Sequence, residues 1–293
     1  MTSSKLTMNI RGAIWMLGMV TSLSLLAVAA RELSDQHGPY QLLVVRHSFS
    51  LIILLPFIFV YKPKILKTKK LFLHMFRNTS HFFATAGWIV AITMLPLAEV
   101  FAIEFTTPVW VAFFAVLFLN EKMNKGRTVS LILGLIGILV ILRPGFNAIG
   151  IGSIIMVISA VGFAITNTTT KALTRYDSLI TILFWMSIIQ LSLAIIPATL
   201  EWKPFVSHDL PWVILVGITG LTAHYSMTKA FQLADVSLVN PIDFLRLPLI
   251  AIVGYLVYSE KVDIFVGIGA LLIFAGNYYA IWREEKTKNF DLN

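Results

Sequence analysis

Apolar stretches of about twenty residues follow one another along the chain, separated by short polar or proline-bearing breaks. Ten are read, at 12–31, 41–61, 78–96, 98–119, 127–143, 150–170, 178–199, 211–231, 236–258 and 263–282. As helices rising about 1.5 Å per residue, each is long enough to cross a hydrocarbon layer of about 30 Å. Helices are required because backbone amides in lipid must be satisfied within their own segment. The narrowest break is Pro96-Leu97, and the run from 78 to 119 is too long for a single crossing. The pattern predicts an all-α integral membrane protein of ten transmembrane helices.

The second half of the pattern rewrites the first. Leu97-Ala98-Glu99-Val100 returns as Leu233-Ala234-Asp235-Val236, Pro108 before Glu121-Lys122 returns as Pro248 before Glu260-Lys261, and residues 77–100 align with 213–236 without a gap. Residues 12–33 align with 152–173, so the two repeats are placed at 12–143 and 150–282. Each holds five spans. Five is odd, so the second repeat enters the membrane from the opposite side. Two inverted copies around a midplane site are an architecture for alternating access.

Composition changes this picture little and excludes much. The chain of 293 residues is 57% hydrophobic and 13% charged, against about 25% charged in soluble domains, and its mean hydropathy is +0.82. No stretch is left for a soluble domain. There is no cysteine, which removes disulfides and thiolate metal sites. The formal charge of +8 follows the loops and carries no nucleic-acid signal. Counted by loop, 16 Lys and Arg fall on the side of the termini, four on the other side and three inside spans. That bias predicts cytoplasmic termini in a bacterial inner membrane. Ala27-Val28-Ala29 after Lys5 and Arg11 resembles a signal-peptidase site, but cleavage there would break the repeat, so 12–31 is retained as the first span.

Charges inside spans are expensive, at roughly 3 kcal/mol each on insertion scales, and mark the candidate site. Arg46 and Lys229 lie near span ends, where they are expected to snorkel. Asp243 and Arg246 are three residues apart near the middle of span 9, one turn on a helix, and can pair. They form either a self-neutralising structural pair or a polar anchor for substrate. Glu104 lies six residues into span 4, with Thr107 and Pro108 on its face. Pro108, Pro241 and Pro248 are expected to kink spans 4 and 9 and act in gating. Trp88 and His224 occupy matched positions in spans 3 and 8 and are candidates for a cavity wall, although helix packing is the commoner use of such residues. Substrate contact is therefore expected at Trp88, Glu104, Thr107, His224, Asp243 and Arg246. Gly126, Ser130 and Gly134 form a small-residue seam, whose neighbour is either another helix of this chain or a second protomer in a homodimer. Nothing in the sequence calls for a metal or cofactor, and there is no nucleophile constellation or phosphate-binding glycine loop of an enzyme.

The ten spans, the repeat, and the stretch Pro96-Leu97-Ala98-Glu99, Pro108, Leu119-Asn120-Glu121-Lys122 resemble the drug/metabolite transporter superfamily, in particular its EamA-type permeases. Ala234-Asp235, Pro248 and Ser259-Glu260-Lys261 resemble the second EamA unit. In many relatives a glycine precedes the acid at the ends of spans 4 and 9, where this chain has Asn120 and Ser259. The resemblance implies inner-membrane carriers of amino acids, nucleosides and vitamins, with a cavity among helices 1, 3, 4, 6, 8 and 9. The chain is also similar to the riboflavin and S-adenosylmethionine transporters of this group. The expected function is secondary transport of a small organic metabolite, such as riboflavin or a related vitamin or nucleoside-like compound. An amino-acid or amine exporter of the same fold, and a non-transporting membrane sensor or structural subunit, are the alternatives.

Overall fold

The computed structural model describes residues 3–61, 66–107, 109–111, 113–114, 125–142, 150–173, 175–233, 240–261 and 263–290. These form the α-helices α1 (Ser3–Ser34), α2 (Pro39–Tyr61), α3 (Leu71–Met94), α4 (Leu97–Glu104), α5 (Lys125–Leu142), α6 (Ile151–Leu173), α7 (Leu179–Leu200), α8 (Leu210–Leu233), α9 (Arg246–Tyr258) and α10 (Ile264–Phe290). Two 3-10 turns, Ser207–Asp209 and Asn240–Leu245, precede α8 and α9. By length and composition, α1, α2, α6, α7 and α8 can each cross a membrane. α5, α9 and α10 hold shorter apolar stretches. α3 has 24 residues but carries His74, Arg77, Asn78 and His81 in its first half.

The exterior is apolar, and several polar side chains lie inside beside an apolar core. Phe57, Phe59, Phe72, Phe83, Ile196 and Leu271 face outward, whereas Gln41, His47, His74, Asn78, Ser187 and Gln190 are buried. Lipid solvates the first set, and helix neighbours must satisfy the second.

Helix neighbours obey an exchange of the halves. α1 packs along α8, and α3 along α6; α2 packs on α7, α4 on α9 and α5 on α10. Renaming every helix by its partner in the other half (α1 for α6, and so on) turns each of these contacts into itself or another of the set. The exchange extends to side chains. His37, after α1, bonds Asp209 before α8 at 3.0 Å. Asp177, after α6, bonds His74 at the start of α3 at 2.9 Å. Aligned repeats place His37 on Asp177 and His74 beside Asp209, so the pair recurs with its acid and base interchanged.

The expected division between spans 3 and 4 falls at Leu95-Pro96, which separates α3 from α4. One expectation about the elements is revised. Span 9 is not one kinked helix: Pro241 and Asp243 lie in the 3-10 turn, and α9 begins at Arg246. Pro248 then occupies the first turn of α9, where an amide has no intrahelical acceptor and proline is tolerated without a kink. Pro108, Asp235 and residues 115–124 lie outside the described residues.

The small-residue seam meets a helix of the same chain. Ser130 donates to Asn277 of α10 at 3.0 Å. A Cβ on Gly137 would sit 2.7 Å from the Gly269 carbonyl, and one on Gly269 2.6 Å from the Gly137 carbonyl. Backbone meets backbone there, which only glycine permits.

α9 ends at Ser259, whose φ of 54° is left-handed, the conformation that a glycine adopts freely at a helix end. Ser259→Gly should relieve about 1–2 kcal/mol of strain against about 0.5–1 kcal/mol of added chain entropy. The expected result is a small rise in melting temperature of the purified protein; a fall would contradict this reading of the helix end.

Candidate functional site

The acids and Arg246 meet where α4 and α9 are interrupted. α4 stops at Glu104, and Thr106 turns back to accept from Val109 at 2.9 Å and donates its hydroxyl to the Ile103 carbonyl at 2.7 Å. A proline at position 108 has no N–H to offer the Glu104 carbonyl. The Thr107 hydroxyl donates to that carbonyl instead, at 2.6 Å. On the other half, the 3-10 turn before α9 presents Asp243 one turn ahead of Arg246.

Arg246 joins the two interruptions. Its Nη2 donates to Glu104 Oε1 at 2.9 Å and to Asp243 Oδ2 at 3.1 Å. Its guanidinium lies over the rings of Phe101 and Phe105, with centroids at 4.9 and 5.2 Å, where the ring faces stabilise a cation. Trp88 Nε1 donates to Glu104 Oε2 at 2.9 Å, so both Glu104 oxygens are engaged. Asp243 Oδ1 and Arg246 Nε are buried and have no partner. Two carboxylates thus face one guanidinium, and one carboxylate oxygen is open.

Of the residues expected to bind substrate, Trp88, Glu104, Asp243 and Arg246 form one connected node, and Thr107 supports the backbone beneath it. Trp88 is buried and edge-on to Phe101 at 6.2 Å, with its indole nitrogen serving Glu104. His224 does not join them. Its Nε2 accepts from Arg46 Nη2 at 3.0 Å, and its ring meets His81 edge-on at 5.3 Å. Arg46 does not snorkel, being 5% exposed and held against α8. Its partner lies 178 residues away, which no local spacing announces. Arg77, which the span bounds put in the loop just before span 3, is likewise buried within α3.

A second network ties α1, α4 and α9 together. Arg31 bonds Glu260 at 3.0 Å and donates to the Leu95 carbonyl at 3.1 Å. Glu260 accepts the Leu97 N–H at 2.9 Å, capping α4 from just beyond α9 of the opposite repeat. Tyr258 donates to Glu32 at 2.8 Å. A depression of about 500 Å³, lined by residues that include His37, Ile89, Thr93 and Lys203, opens at the turn between α1 and α2.

Comparison with known proteins decides the family. The model of the EamA-like transporter family matches residues 10–143 and 150–282. The chain belongs to that family. It is 28% identical over 275 residues to an S-adenosylmethionine uptake transporter of Rickettsia felis, covering 94% of each chain. It is 29% identical over 248 residues to a riboflavin transporter of Brucella anthropi, covering 83% of this chain and 87% of that one. A solved crystal structure superposes with a TM-score of 0.68 at 14% identity, covering 94% of this chain and 98% of the other, and supports the fold alone. This EamA-family chain is a multi-pass membrane protein of a transporter family whose relatives handle small molecules.

Replacing Trp88 by phenylalanine keeps most of the ring and removes the donor to Glu104. A hydrogen bond to a charged group contributes about 1.5–3 kcal/mol. Trp88→Phe is expected to lower the melting temperature of the purified protein. An unchanged melt for Trp88→Phe would show that the bond does not organise the node.

Proposed function

We propose that this EamA-family protein is a secondary transporter that moves a small cationic metabolite with a flat ring, of the S-adenosylmethionine kind, by alternating access. The observation that carries this reading is the node's charge balance: two half-buried carboxylates, one buried guanidinium and a buried, unpartnered Asp243 Oδ1. A buried excess negative charge is costly unless a cation or a proton answers it. A sulfonium or amine is such a cation. Riboflavin is flat but uncharged and offers none. The similarity to S-adenosylmethionine uptake transporters supports the same choice.

The interruptions of α4 and α9 support alternating access. Broken helices at corresponding positions of two halves place a binding site at the interface between the repeats. In this reading the chain has ten spans, the repeats 12–143 and 150–282 are inverted about an axis in the membrane plane, and both termini are cytoplasmic in the inner membrane. The exchange of helix neighbours and the interchanged His–Asp pairs favour that symmetry. Because the chain has no cysteine, Lys69→Cys gives a single label. It should react with an impermeant maleimide only after the cells are opened; labelling in intact cells would reverse the orientation.

Binding is tested by thermal unfolding of the purified protein with S-adenosylmethionine and, separately, riboflavin. A ligand at about 100 times its Kd raises stability by about 2.7 kcal/mol. S-adenosylmethionine should raise the melting temperature and riboflavin should not. Stabilisation by riboflavin alone would move the substrate to that vitamin, and stabilisation by neither would remove both.

A further inference from the structure

Two arginines, two histidines and a glutamine are buried outside the acidic node, with half-buried His224 among them. Arg46 of α2 and Arg77 of α3 are 5% and 3% exposed, and His47, His81 and Gln190 are also buried. Arg46 bonds His224, His224 touches His81, and His81 Nδ1 donates to Gln190 Oε1 at 3.1 Å. Arg77 donates to Thr170 and to its neighbour Asn78, at 2.9 and 2.6 Å. Among the described residues, no carboxylate lies within 4.0 Å of either guanidinium. Arg46 Nε, both nitrogens of His47 and Gln190 Nε2 are buried without a hydrogen-bond partner.

Such a group of cations is incomplete as a purely structural element. A guanidinium does not deprotonate to escape burial, and an unpaired charge inside a membrane protein faces a partner or a hydrated cavity. The fold also makes room for it. A Cβ on Gly220 of α8 would stand 2.6 Å from Arg46 Cγ and 2.7 Å from Arg46 Nε, so α8 is relieved where the arginine crosses it.

The position relative to the acidic node defines the ligand. His81 belongs to this cluster and Trp88 to the node, and both lie on one face of α3, seven residues apart. Two helical turns separate them, about 10 Å along the axis. Thr85 lies between them, buried, with its hydroxyl unpartnered. We propose that the Arg46–Arg77 cluster binds the carboxylate of the same transported solute whose cationic centre meets Asp243, so that a dipolar metabolite lies along α3 with Thr85 beneath it. This rests on the transport reading above and adds a second, anionic point of recognition.

The test uses the full-length protein in lipid nanodiscs and two probes, S-adenosylmethionine and decarboxylated S-adenosylmethionine. The second keeps the sulfonium and the adenine and lacks the carboxylate. Wild type should bind the first about 100-fold more tightly, the size expected for a lost contact between charged groups. Arg46→Gln and Arg77→Gln should each lower affinity for S-adenosylmethionine and leave the decarboxylated probe unchanged. If a glutamine variant fails to fold, Arg46→Lys keeps the charge without the fork and should lose part of the discrimination. Equal weakening of both probes, or discrimination retained in a folded variant, would overturn the proposal. If wild type binds neither probe, the substrate reading fails by itself. The cluster is then judged by thermal protection with propionate and methionine: protection of wild type that Arg46→Gln lacks supports the anion site, and equal behaviour overturns it.

Discussion

Arg246→Met is expected to cost about 3–5 kcal/mol of stability, the penalty for stranding buried charge by removing one partner. Arg246 is the cation on which both acids converge, at 2.9 and 3.1 Å, and without it Glu104 retains only the donor from Trp88. The folded yield after size exclusion should fall sharply, and the remaining protein should melt early. Replacing all three charges, as Glu104→Gln, Asp243→Asn and Arg246→Met together, removes the stranded charge and should recover most of the yield without recovering transport. A single Arg246→Met variant as stable as wild type would mean that the node contributes nothing to the fold.

Asp243→Asn has the opposite profile. It leaves Arg246 facing Glu104 alone, one charge against one, so folding should be nearly normal. What it removes is the open carboxylate oxygen and the excess negative charge. Losing a contact between charged groups is worth about 1.5–3 kcal/mol, so uptake of labelled S-adenosylmethionine per folded protein should drop about 100-fold at the upper end of that range. Uptake at the wild-type level in folded Asp243→Asn would take Asp243 out of the site.

The pairing of Asp243 with Arg246 was legible because both partners lie within one turn of chain. The interruptions near Glu104 and Asp243 were signalled by prolines at matched places, although the break in the second half precedes Pro248 and does not lie at it. The third member of the node was not legible. Glu104 reaches Arg246 through the packing of α4 on α9, and no periodicity fixes a contact between residues 142 positions apart. Arg46 misled for a related reason. Its distance from the start of α2 suggested an escape to the interface, whereas Gly220 and His224, on a helix far along the chain, give it a buried berth. Repeat symmetry carried further than spacing. Extending the alignment of 12–33 on 152–173 puts His37 on Asp177, and those two residues make corresponding histidine–aspartate hydrogen bonds in the two halves.

The central claim, that this chain carries a cationic solute by alternating access, is tested most directly by solute counterflow in proteoliposomes. Vesicles loaded with unlabelled S-adenosylmethionine are diluted into a trace of labelled compound. A carrier that exposes one site alternately to each side should draw label above its equilibrium level and then release it, and Asp243→Asn should abolish the overshoot. Folded wild-type protein that binds S-adenosylmethionine and shows no overshoot would contradict the account.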